Sequence, residues 1–120
     1  MVSLLLNPYA PLTLAAVLGA ALALLRLRPD GRAPSAAVRA AHGGLGALGL
    51  LALLGGAGRS VSGDPGLRTT GIGLLCFTLL LGLGVIVAYR RDSGIAGAVV
   101  GLHATVAMFA LAVIAAYVSL

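Results

Sequence analysis

The chain has 120 residues, of which 60% are hydrophobic and 9% charged, with a mean hydropathy of +1.10. A soluble domain carries about 25% charged residues to wet its surface, so this composition excludes an ordinary water-soluble fold and points to one domain whose surface faces lipid. The net charge of +5 comes from eight arginines, no lysine and three aspartates, all lying between apolar runs except Arg39 near the start of the second; that scatter argues against nucleic acid as a partner, which would need a basic face.

Four apolar runs approach the roughly 20 residues that a helix needs to cross a bilayer core: 8–25, 36–58, 69–89 and 94–118. Their length and lack of alternation favour helix over strand, and the short alternating segments of a membrane barrel are not seen. The expected fold is all-α, an integral-membrane, up-down-up-down four-helix bundle in a single domain.

The first run opens on Pro8 and Pro11, which suit a helix start. Its arginines follow the apolar stretch and do not precede it, so it reads as a retained span and not a signal peptide. The first loop, RLRPDGRAPS, is rich in turn residues and ends on Ser35, a candidate N-cap for the second helix. In the second run His42, Gly46, Gly49, Leu53 and Gly56 share one helical face. The second loop, RSVSGDPGLR, is again a turn region. The third run carries Gly71, Thr78 and Gly82 on one stripe, with Cys76 expected as a small buried hydrophobe. The third loop, YRRDSG, is so short that the helices it joins must be antiparallel neighbours. The fourth run has a close-packing Gly97–Gly101 spacing. Tyr9, Tyr89 and Tyr117 lie at span ends and are expected in an interfacial aromatic belt. Beyond the succession of two hairpins, each with one histidine on its second helix, the sequence shows no internal repeat.

Loops one and three, with the start of the second helix, hold Arg26, Arg28, Arg32, Arg39, Arg90 and Arg91; loop two holds Arg59 and Arg68. The positive-inside rule then puts loops one and three in the cytoplasm and both termini outside. With an Arg-, Ala- and Gly-rich composition typical of a high-GC gene, the expected location is a bacterial inner membrane, multi-pass, with periplasmic termini.

Only His42 and His103 can titrate near neutral pH within the spans, and an ionisable residue inside a membrane is a functional candidate by default. Three uses are open. Both imidazoles hold one b-type haem, with Arg39, three residues before His42, as a propionate partner. Or they serve a pigment, haem or quinone site shared with another subunit. Or each is a neutral side chain hydrogen-bonded inside the bundle to a serine, a threonine or a backbone carbonyl of a neighbouring helix, with Thr13, Thr70, Thr78 and Thr105 as possible partners. Counted from the expected span starts, His103 lies about ten residues deep and His42 about six, a mismatch of ~6 Å at 1.5 Å per residue that weighs against a shared haem. Any metal role for His42 and His103 is tied to haem, because no acidic residue or further His/Cys cluster completes a ligand set. No nucleophile elbow or phosphate loop is present, so no enzyme activity is expected.

The segments RAAHGGLGALG (Arg39 to Gly49) and GLHATVAMFAL (Gly101 to Leu111) resemble those of small four-helix bacterial membrane proteins. The placing of histidines on even-numbered helices is also similar to four-helix membrane cytochromes b, which usually carry more histidines and two haems. That resemblance implies haem ligation by His42 and His103. The reading favoured on the whole sequence is a small accessory or structural subunit of a larger inner-membrane complex, respiratory or photosynthetic. Its partners would be the lipid bilayer and either other membrane subunits or further copies of itself. A b-type haem electron-transfer protein is the alternative.

Overall fold

In the computed structural model, residues 7–26, 34–55 and 64–119 are described, and they form four helices. These are α1 (Tyr9–Arg26), α2 (Ala36–Leu54), α3 (Pro65–Arg90) and α4 (Ala96–Ser119). All four are long and apolar enough to cross a membrane. Each packs on its two neighbours in the ring α1–α2–α3–α4–α1, and the diagonal pairs stay apart.

Capping chemistry explains where the helices begin and end. The Asn7 side chain accepts from Tyr9 N–H at 3.0 Å at the start of α1. Ser35 caps α2 as expected, its hydroxyl accepting from Val38 N–H. Asp64 caps α3 through Gly66 N–H at 2.7 Å, with Pro65 in the first turn, so α3 starts four residues before the expected span and takes in Arg68. Its guanidinium Nη2 reaches the Leu53 carbonyl at 2.7 Å and supplies a donor to the end of α2, where carbonyls lack partners. The second helix closes at Leu54 with Gly55 as its cap; the rest of that expected span, 56–58, lies outside the described residues.

The turn between α3 and α4 is a Schellman closure. Ser93 N–H donates to Ala88 C=O at 3.0 Å and Asp92 N–H to Tyr89 C=O at 3.3 Å, with Asp92 in the left-handed region at φ 47°. Glycine is the usual residue there.

The buried residues fall into a pattern that the sequence hides. Pro8, Leu12, Ala15 and Gly19 of the first hairpin correspond to Gly71, Leu75, Thr78 and Gly82 of the second, each 63 residues on. His42, Gly49 and Leu53 correspond to His103, Ala110 and Ile114, each 61 residues on. The matched pairs from Pro8 to Ala15, and those at Gly49 and Leu53, are buried on both sides. The chain is thus two equivalent hairpins side by side. Only Leu12/Leu75, Gly19/Gly82 and His42/His103 keep the same residue within this set, too few to announce a repeat.

The core is lopsided. Leu12, Leu53, Leu75, Ala110, Ile114 and Tyr117 form one buried cluster, at the end of the bundle where α1 begins and α4 ends. At the other end, which carries Arg26, Arg39, Arg90 and Arg91, Ala88 is the one buried helical residue among those described. Close approaches tighten the filled end: a methyl on Gly49 would overlap the Leu12 side chain, and one on Gly71 would come within 2.9 Å of Ile114 Cγ1.

Three expectations are corrected. Cys76 is exposed on the outer surface of α3 and not buried; its apolar neighbours in sequence face outward with it. Tyr117 is 3% exposed and belongs to the core cluster, where the bundle needs a bulky filler, while Tyr9 packs against its edge. A methyl added to Gly97 or to Gly101 would meet nothing within 4 Å, so their spacing serves no contact inside this bundle: they lie on the face of α4 turned away from α3.

Candidate functional site

His42 and His103 are brought together. They stand on α2 and α4, the diagonal helices whose backbones do not touch, and their ring centres are 6.0 Å apart with planes at 76°. The expected depth mismatch does not exist. His42 is the seventh residue of α2 and His103 the eighth of α4; the fourth helix begins at Ala96, two residues later than the apolar run suggested, because 93–95 belong to the turn.

Each ring is held from behind in the same way. His42 Nδ1 lies 2.8 Å from the Ala15 carbonyl oxygen of α1. His103 Nδ1 lies 3.0 Å from the Thr78 carbonyl oxygen of α3. A backbone carbonyl only accepts, so Nδ1 carries a proton in both rings, and in the neutral imidazole the lone pair is then on Nε2. Orienting a histidine through its other nitrogen is the usual arrangement behind a metal-bound imidazole.

One turn beyond each carbonyl is a glycine that makes room for the ring. A methyl on Gly19 would sit 2.8 Å from His42 Cε1, and one on Gly82 would sit 3.3 Å from His103 Cε1. The two half-sites are therefore the same device twice: carbonyl, glycine four residues later, and histidine from the next helix.

Three of the expected threonines bond within their own helices and not to the histidines. The hydroxyls of Thr13, Thr78 and Thr105 donate to the carbonyls of Tyr9, Leu74 and Gly101 in their own helices, the local bond that a helical threonine finds first. Thr78 contributes its main chain. A backbone carbonyl of a neighbouring helix is among the expected partners; that it is Ala15 for His42 and Thr78 for His103 carries no sequence signature, since every residue has one. Arg39 lies one turn from His42 toward the arginine-rich end and is exposed.

Chemically, the site offers two neutral imidazole lone pairs and little else. If both free nitrogens faced one metal, at ~2 Å from each, the ring centres would lie ~6 Å apart, the separation of the two rings here. A bare zinc or copper ion wants further protein ligands, and among the described residues no three His, Cys, Asp or Glu side chains gather. Porphyrin iron brings four nitrogens of its own and asks the protein for two.

No protein-family model, curated protein or solved structure matches the chain.

Proposed function

We propose that the chain is a membrane electron-transfer protein holding one b-type haem between His42 and His103. The observation that carries the reading is the pair itself: two imidazoles from diagonal helices, 6.0 Å apart, each tied through Nδ1 to a backbone carbonyl. A second support is the packing, since buried side chains crowd the end away from the arginines and the histidine end holds few. A haem with two histidine ligands has no open iron position and serves one-electron transfer. The protein's part is to bind, orient and keep water out. Gly19 and Gly82 give the rings their places, the carbonyls of Ala15 and Thr78 fix their tautomer, and Arg39 is the candidate partner for a propionate.

The same proposal sets the bundle in a bacterial inner membrane, with the arginine-rich end cytoplasmic and the termini periplasmic. An electron carrier also needs a donor and an acceptor, so membership in a larger respiratory or photosynthetic assembly is compatible with it.

Titration of the purified protein with haem tests the reading. One haem per chain is expected, with binding weakened at least about tenfold in His42→Ala and in His103→Ala, as for a lost metal ligand or its support. Binding that survives both substitutions would rule the site out.

A further inference from the structure

A recess of about 450 Å³ opens at the tight turn between α3 and α4. Its walls are apolar, with Gly84 and Val87 on α3, Val99 on α4 and Ile95 before it; Arg91 and Ser93 line it at the turn. Two features are unexplained by packing. The Ser93 hydroxyl is sealed from solvent yet has no hydrogen-bond partner, a state that costs free energy unless something satisfies it. And Arg91, exposed, places a guanidinium beside an apolar groove at the end of a helix long enough to cross a membrane.

A groove with one cationic mouth and a greasy floor fits an amphiphile with an anionic head. We propose that this recess binds one anionic phospholipid, its phosphate on Arg91 and the Ser93 hydroxyl and an acyl chain along Gly84, Val87 and Val99. Arginine suits the head because its planar fork of N–H donors matches phosphate oxygens. Serine needs only a rotamer change to turn its hydroxyl toward the mouth. The acyl chain finds a seat because Gly84 has no side chain; a methyl there would only reach ordinary contact with Val99, at 3.7 Å. The counterparts of Gly84 and Val99 in the first hairpin are Ala21 and Val38; residues 27–33, which join its helices, lie outside the described residues. The inference rests on the bundle lying in a bilayer and is independent of haem.

The test is lipid retention by the purified chain. The protein is stripped in detergent, offered phosphatidylglycerol or phosphatidylcholine with the same acyl chains, and examined by native mass spectrometry. One phosphatidylglycerol per chain should be kept in preference to phosphatidylcholine. Arg91→Ala should reduce that retention about fivefold, the scale of one arginine at a membrane surface, and Val99→Phe should reduce it by filling the recess. Arg90→Ala, outside the lining, should change it little. Equal retention of the two lipids, or equal losses in Arg91→Ala and Arg90→Ala, would overturn the site. Arg91 is an exposed cap residue, so that variant remains informative even if Val99→Phe fails to fold.

Discussion

At the scale of single residues, the site depends on what stands behind each histidine. Gly19→Leu and Gly82→Leu place a side chain where the His42 and His103 rings now lie; both should abolish haem binding while leaving four helices by circular dichroism. The interplanar angle of 76° adds a spectroscopic expectation. Ferric protein should give the highly anisotropic low-spin resonance of near-perpendicular imidazoles, and a rhombic signal of parallel rings would show that the geometry had been misjudged. Asp92 in the left-handed region is a local cost that glycine avoids, so Asp92→Gly should raise thermal stability by about 0.5–1 kcal/mol. The histidines were visible in the sequence as titratable groups in apolar runs. So was a neighbouring helix's backbone carbonyl as a kind of partner; which residues supply it, Ala15 and Thr78, was not, because a main-chain carbonyl carries no sequence signature.

At the scale of helices, length and hydropathy made the four elements legible, while their ends were set by local hydrogen bonds. Asp64 and Pro65 started α3 inside what read as a loop, and the turn at 93–95 delayed α4. That second shift removes ~3 Å, about half, of the depth mismatch expected between His103 and His42. Arg68 shows how one of these revisions matters: as a loop residue it bears on topology, as a helical residue it caps α2 through the Leu53 carbonyl. Arg68→Ala should lower stability by about 1 kcal/mol. Glycine spacing was a poorer guide. Gly71 meets Ile114 and Gly97 meets nothing, although both look like packing positions. Gly71→Ala should therefore destabilise the purified protein by about 1–3 kcal/mol, whereas Gly97→Ala should be neutral or stabilise it by up to about 1 kcal/mol through helix propensity.

At the scale of the whole molecule, two hairpins of nearly unrelated sequence repeat one arrangement of buried residues, and a histidine from each meets its counterpart at the bundle's centre. The repeat was hidden because packing conserves burial and size more than identity: Gly49 and Ala110, or Leu53 and Ile114, do the same work. Outward-facing Leu14, Val17, Leu80, Leu83, Met108 and Phe109 suit a lipid environment. Exposed Cys76 should accordingly resist a membrane-impermeant maleimide in intact vesicles and react once the protein is denatured. The central claim concerns the pair of histidines, and a reduced-minus-oxidised visible spectrum of the protein, expressed with ample haem and purified in mild detergent, addresses it most directly. Haem ligation by the pair gives a sharp b-type band in the wild-type chain, lost in both His42→Ala and His103→Ala. A well-folded, haem-supplemented preparation without that band, or a band that persists in either variant, would contradict it.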